Sequence, residues 1–504
     1  MVKYEHPAAS EFNGVKLDEN GKLIPSAYNL VETFEWGKTP EREIFVSALG
    51  DGNDDNEGLY DAPVASLIRA VELAKSTIGV IPTAIRIFPG IYKEGTYLNK
   101  AYASENAPLW IGGIPGMDSP VFDGAGFGLS SFSYIILHDM EIRNIVGTTG
   151  TGINAFCTTP AVEGAEWAHD ANYIIYRNLY MHHISYQDIK IAGVDHFWIF
   201  DCDISRSTQG GSGHIDGVGV HNGIIAYNYI HDSTNNQLAI QLKGGSSNDN
   251  IYGNLFRHAS SGINVGQSTG VQFFRPGLVR DGLTTYEAKN LRIYSNVFIG
   301  GRHPFNFQGA KDSYAVNNTI ILPEAHLFRI LQGDENNDLG NNGMSHDNTI
   351  ENNIFYYDFD HADFANNHRE PFNVTANKDI ETNIIKNNII FNIKDAGNLP
   401  PKDKWSWGST QGVPDVVLGE NILISPLFIS DADIINAADV NLPTYNNLTA
   451  LDARRLMTAK ICYKNLVLSE NSPAVSGGTD FDFASKDFYG KSFAKSRSLG
   501  AMQF

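Results

Sequence analysis

The sequence predicts an all-β fold, a parallel β-helix in which short strands stack coil upon coil. Three observations predict it. An asparagine recurs between short apolar strands in the pattern I-x-x-N-x-[I/F/Y], at Asn178, Asn228, Asn254, Asn296, Asn318, Asn353 and Asn388, and Met140 and Cys202 hold the same rank. The spacing is that of one coil: Asn178 to Cys202 is 24 residues, Cys202 to Asn228 and Asn228 to Asn254 are 26 each, and Asn296 to Asn318 is 22. A fixed period of this length marks a solenoid whose repeats cannot bury their apolar faces alone. The 48 glycines suit a chain that turns several times per coil. Stacking would set each asparagine above the next, so that side-chain amides bond along an interior ladder and satisfy a buried turn.

The elements follow in order. Residues 1–42 read as an irregular leader, 43–430 as the β-helix with an N-terminal cap, and 431–504 as a tail that packs on or closes it. Ile44-Phe-Val-Ser-Ala is the first strand, and the polar loop 50–58 follows. Leu67, Val71 and Ala74 make one apolar stripe at spacings of 4 and 3, which predicts a helix. A helix there would cap the open end, where an unpaired strand invites aggregation. The strands Ala84-Ile-Arg-Ile-Phe, Leu109-Trp-Ile-Gly-Gly and Pro120-Val-Phe-Asp-Gly lead into regular coils from 134 to 393. The coil from Asn254 to Asn296 spans 42 residues, with its excess in 267–280. The coils holding 339–343 and 361–370 are expanded to 35 residues each. Insertions in solenoids gather on the binding face.

The formal charge of −20 and pI of 5.1 argue against nucleic acid and anionic membranes as partners. An acidic polysaccharide stays open, because binding responds to the local field. No apolar run is long enough for membrane insertion. Cys157, Cys202 and Cys462 are too few and scattered for a disulfide framework or a zinc site. The opening Met1-Val-Lys-Tyr-Glu-His-Pro has no apolar signal core. The expectation is a secreted or periplasmic protein whose signal peptide has been removed.

After each ladder position comes another strand. Aligned on their apolar residues, these are Ile189-Lys-Ile, Ile215-Asp-Gly-Val, Ile240-Gln-Leu-Lys, Ile263-Asn-Val, Phe305-Asn-Phe-Gln and Phe328-Arg-Ile. Alternate residues of a strand face out. Lys190, Asp216, Gln241, Asn264, Asn306 and Arg329 therefore fall in one outward column, and Lys243 and Gln308 extend the face. Ordinary solvent-facing strands carry Thr, Ser, Lys and Glu in no order. This column is rich in amides, as a substrate groove would be. A second, cationic column holds His182, His183, Arg206, His231, Arg257, His258, Arg302 and His303. It would make a positive strip for carboxylate or sulfate groups; the plainer reading is that these side chains cap turn carbonyls.

The run Phe45-Val-Ser, Asp61-Ala-Pro, Ser66-Leu and Ala70, the turn Pro89-Gly-Ile-Tyr92, and the ending Ser472-Pro-Ala, Asp487-Phe-Tyr-Gly and Gly500-Ala501 resemble the bacterial right-handed parallel β-helix superfamily. That superfamily holds pectate-lyase-like polysaccharide lyases and several glycoside hydrolases, so the resemblance implies a right-handed helix and a carbohydrate substrate. The stretch from Gln237 to Arg257 resembles the catalytic coil of the alginate lyase and chondroitinase B family. There the resemblance implies that a lysine removes the proton α to a uronate carboxylate, and Lys243 matches that lysine. The family neutralises the carboxylate with calcium and an arginine. Here Asn236 and Gln237 stand where acids would be expected, and Gly266 stands near the arginine's place. Arg257, Arg275 and Arg302 are the arginines available instead.

Three functions stay open. The favoured one is a polysaccharide lyase that cleaves a uronate-containing polymer by β-elimination. Its catalytic set is Lys243, Asp216, His214, Arg257 and His258. Its substrate contacts are Lys190, His221, His231, Gln241, Asn264, Arg275, Arg302, His303, Asn306, Gln308 and Arg329. The alternative is a glycoside hydrolase centred on Asp216, since hydrolysis needs paired carboxyl groups. The third is a non-catalytic carbohydrate-binding solenoid. The sequence requires no cofactor for any of them, and calcium stays possible. The loop 50–58 offers calcium oxygen ligands at Asp51, Asn53 and Asp55.

Overall fold

The computed structural model describes residues 38–147, 150–158, 170–206, 213–233, 237–275, 286–331, 343–358, 372–374, 382–393, 395–399, 420–429, 461–494 and 496–503, with 16–17, 23–24, Trp36 and Thr458. The expanded coil at 361–370 and most of 339–343 lie outside the described residues. The chain forms two compact units, Met1–Ile230 with Arg275–Gly277, and His231–Phe274 with Leu278–Phe504.

Both units are parallel β-helices. In the first unit one strand stack runs from Arg42–Val46 through Thr83–Ile87 and Leu109–Gly113 into the long strands Phe127–Arg143 and Ala171–His182, then to Asp195–Phe200. A second stack holds Ile91–Tyr92, Val121–Asp123 and Asp203–Ser205. A third holds Thr96–Tyr102, Ile153–Phe156, Ile189–Ala192 and Gly213–Val218. The second unit repeats the plan. One stack is Asn250–Tyr252, Arg292–Tyr294, Tyr314–Val316, Thr349–Glu351 and Ile384–Lys386. The next is Leu255–Arg257, Val297–Ile299, Thr319–Ile321, Ile354–Tyr357 and Ile389–Asn392. The last is Leu238–Lys243, Ser261–Gly266, His303–Gln308, Phe328–Leu331 and Phe372–Val374. Every one of these pairings is parallel, and the interior is filled by fully buried Ile, Val and Phe. Parallel strands need such cover, because their connections leave no solvated hairpin. Aromatic rings repeat at the coil spacing: Phe256 and Phe298 stack at 4.5 Å, and Tyr252 and Tyr294 at 4.8 Å.

The asparagine ladder forms as the period implies. Asn254 Nδ2 donates to Asn296 Oδ1 at 2.9 Å, Asn296 to Asn318 at 3.0 Å, Asn318 to Asn353 at 3.0 Å and Asn353 to Asn388 at 2.9 Å. Each backbone N–H on the ladder donates to the same oxygen, as Asn296 N does to Asn318 Oδ1 at 3.0 Å. The ladder runs one coil further, to Asn421. A parallel ladder through Ser313, Asn348 and Asn383, which the sequence pattern does not reveal, serves the neighbouring turn.

One ladder assignment is corrected. Asn178 has a φ of 54° and bonds Asp139 across coils. It occupies the left-handed corner that Asp139, Asp201 and Tyr227 also take. Leu179 pairs in register with Met140 and so holds the ladder rank. In the early coils of the first unit that rank is apolar, at Met140, Leu179 and Cys202, and it becomes an asparagine at Asn228, whose Oδ1 accepts from Cys202 N at 3.0 Å.

The predicted helix spans Leu67–Ala74 and buries Leu67, Ala70, Val71 and Ala74 against the first strands. Ser66 caps it, with Oγ accepting from Arg69 N at 3.1 Å. Asp54 in turn accepts from Ala65 N, Ser66 N and Ser66 Oγ. Along the outer edge of Arg42–Val46, Phe45 N donates to the Gly58 carbonyl and Val64 N donates to the Phe45 carbonyl. The loop 50–58 therefore serves the fold. Within it, Asp51 accepts from Ser47 Oγ at 2.5 Å, and Asn53 Oδ1 accepts from Asp55 N at 3.0 Å. Among the described residues, no three His, Cys, Asp or Glu side chains gather as they would around a metal ion.

Candidate active site

The outward columns form within each unit. In the first, Asn154, Lys190 and Asp216 are in register. In the second, Gln241, Asn264, Asn306 and Arg329 are in register, followed by Asn373. Gly266 and Gln308 pair beside them, two residues along each strand, at the level where Lys243 ends its own strand. The sequence pattern reads these columns as an outward face open to a substrate. The structure differs: Asp216, Gln241, Asn264 and Asn306 are all buried. Strand alternation reports only which way a side chain leaves its backbone, and says nothing of what lies above it.

The burial is chemically costly and therefore informative. Gln241 Nε2, Asn264 Oδ1, Asn306 Oδ1 and Arg329 Nε are closed off from solvent without a hydrogen-bond partner. A buried polar atom left unpaired costs roughly 1–3 kcal/mol. Buried polar atoms of this kind call for an explanation, and four of them fall in one register column. Arg329 forms no ion pair with an acid among the described residues. Burial, reinforced by the neighbouring Arg302 charge, pushes its guanidinium down to about 10.

Lys243 is half-buried at the end of Leu238–Lys243, and the turn that follows it is held by a residue that the sequence pattern does not single out. Glu287, fully buried, accepts from Gly244 N at 2.8 Å, from Thr269 N at 2.6 Å and from Thr269 Oγ1 at 2.6 Å. It thereby fixes both the residue after Lys243 and the start of the long insertion. A signal for it exists in the sequence. Glu287-Ala288-Lys289 and Gly309-Ala310-Lys311 are aligned repeats, and Glu287 departs from the glycine.

In the first unit the outward patch is a set of polar pairs. Lys190 Nζ lies 2.5 Å from Asp216 Oδ2, and Gln187 Nε2 donates to the same oxygen at 2.7 Å. Beside them, His214 Nδ1 lies 2.6 Å from Asp188 Oδ2, with both side chains fully buried. His221 Nε2 meets the Arg275 carbonyl at 2.8 Å, and Gly219 leaves room for Arg275, whose Cβ a side chain there would meet at 2.5 Å.

The expected cationic strip does not assemble. His182 pairs in register with Ser205, not Arg206, and lies 3.2 Å from Glu141. His231 lies 2.9 Å from Asp232. Arg257 donates to the Thr458 and Ile461 carbonyls at 3.1 and 2.7 Å, and His258 contacts Thr458 Oγ1 at 2.9 Å. Arg257 and His258 thus hold the C-terminal tail. His183, Arg206 and His258 sit at left-handed corners, whereas His303 starts an outer strand on the same parity as the buried Phe305 and Phe307. Replacing Arg257 with Ala is expected to leave any turnover near wild type and to cost about 1–3 kcal/mol, from two unpaired carbonyls; chemical denaturation beside an activity assay checks it.

No family model and no curated protein matches the chain. Among solved structures it is similar to pectate lyase Pel9A, at 14% identity and a TM-score of 0.43, over 93% of this chain and 98% of that one. It is similar to a rhamnogalacturonan lyase at 12% and 0.44, over 82% and 98%. It is also similar to XylC, solved in complex with xylose, at 10% and 0.45, over 92% and 98%.

Proposed function

We propose that the protein is a carbohydrate-active enzyme that cleaves a uronate-containing polysaccharide by β-elimination, on the outward column of the second unit, with Lys243 as the base. The observation that carries this reading is Arg329, a half-buried guanidinium beside Arg302 that has no acid partner among the described residues. On a chain of formal charge −20, an arginine without an acid partner among the described residues suits an anionic substrate.

Elimination needs a base at the α-proton and donors that neutralise the carboxylate, so that this proton becomes acidic. Gln241 and Asn264 supply amides next to Lys243 in the same strand stack. The Lys243 amine takes the α-proton. The released electron pair forms the carbon–carbon double bond, the β C–O bond breaks, and the departing sugar oxygen takes a proton from solvent water. Arg329 lies three coil rises from Gln241, about 14 Å along the stack, and holds the carboxylate of a flanking sugar. Glu287 keeps the turn after Lys243 in place.

Replacing Arg329 with Met tests the reading. At neutral pH the guanidinium is charged both folded and unfolded, so its lowered value is a cost on the folded chain that Met removes. Stability should hold or rise by about 0.5–2 kcal/mol, while KM for an acidic polymer should rise about tenfold or more. A clear loss of stability with unchanged KM would show that the arginine serves the fold. A second reading, hydrolysis centred on Asp216, is favoured by one observation, the buried and unpartnered Asp216 Oδ1.

A further inference from the structure

We propose that the first unit carries a separate carbohydrate site for a neutral oligosaccharide, with one pyranose stacked on Tyr97 and a hydroxyl bonded to Asp216. The site does not rest on the lyase reading, and it takes from the second reading only the Asp216 carboxylate. Tyr97, Gly128, Asn154, Lys190 and Asp216 are in register on successive coils. The inward residues beside them, Leu98, Leu129, Ala155 and Ile191, are fully buried, so this column leaves the opposite face.

Tyr97 is a built platform. It is 56% exposed. Its ring covers the bare backbone of Gly128, where an added Cβ would meet ring atoms at 2.4 and 3.0 Å. Its hydroxyl donates to Ser130 Oγ at 2.7 Å, and Ser130 Oγ donates to Asn99 Oδ1 at 3.0 Å. The ring is held at both ends, so little freedom is lost when a ligand stacks on it. A pyranose offers an apolar C–H face that matches an aromatic ring, with hydroxyls at its rim.

Asp216 supplies the second observation. It is 4% exposed, and Lys190 and Gln187 both donate to its Oδ2. Its Oδ1 has no partner. A buried acceptor of this kind wants a donor, and a sugar hydroxyl is one. The same carboxylate sets the charge preference. Lys190 is already matched to it, and a uronate placed at Oδ1 would meet a like charge. From Tyr97 to Asp216 the column spans four coil rises, about 19 Å, enough for several sugar residues with Asn154 between.

The test is isothermal titration calorimetry on the full chain, with cellohexaose, xylohexaose and mannohexaose against a galacturonate hexamer. The neutral hexamers contain no uronate and cannot be eliminated, so the outcome is independent of the lyase reading. At least one neutral hexamer should bind, and Tyr97→Ala and Asp216→Asn should each weaken it about tenfold or more. Should Asp216→Asn fail to fold, Gly128→Ala takes its place, because its Cβ displaces the Tyr97 ring. No binding of any neutral hexamer, or binding undiminished in either variant, would overturn the proposal.

Discussion

Lys243→Ala is expected to lower turnover on the true substrate at least about a hundredfold, the lower end for loss of a general base. The side chain is half-buried, and its strand is held independently by Leu238, Ile240 and Leu242 in the interior and by Glu287 at the following turn. Stability should therefore change by less than about 1 kcal/mol. The loss should fall on kcat rather than KM, because the base acts only as the α-proton moves. Steady-state kinetics with a thermal melt of the same sample checks both halves. Turnover kept near wild type would remove Lys243 from the mechanism.

Asn318→Ala should be the most damaging single change to the fold. The Asn318 amide oxygen accepts from Asn296 N and from Asn296 Nδ2, each at 3.0 Å. Its nitrogen donates to the carbonyls of Ile293 and Val316 and to Asn353 Oδ1, at 3.0, 3.1 and 3.0 Å. Alanine takes the side-chain acceptor from Asn296 N, removes a donor from the Ile293 and Val316 carbonyls and from Asn353 Oδ1, and opens a cavity between stacked coils. A cost of about 3–5 kcal/mol follows from several unsatisfied groups. Denaturant melts would show it as a lower midpoint. A change under about 1 kcal/mol would mean that the ladder is incidental to stability.

The ladder is legible in the sequence because a buried amide is the same solution to the same turn in every coil, and so repeats. Asn178 falls one rank off it for a related reason. The left-handed corner and the ladder rank are adjacent, and both favour asparagine, as the pairs Asn317-Asn318, Asn352-Asn353 and Asn387-Asn388 show. A pattern with one asparagine cannot tell which of the two it fills. The register of the outward strands is also legible, since Ile, Phe and Val flank each member. The burial of that column is not, because whatever covers a strand face is remote in sequence. The same limit hides the fate of Arg257 and His258. Their partner Thr458 lies about two hundred residues away, and no local pattern connects them.

Elimination on an acidic polymer leaves a chemical mark that hydrolysis does not, an unsaturated chain end that absorbs in the ultraviolet. The decisive measurement is to incubate the protein with a panel of uronic-acid and neutral polysaccharides, following that absorbance together with reducing ends. Elimination gives both signals in step on at least one uronate polymer, abolished by Lys243→Ala and kept in Asp216→Asn. Reducing ends without absorbance, lost in Asp216→Asn and kept in Lys243→Ala, would contradict it and place hydrolysis in the first unit instead.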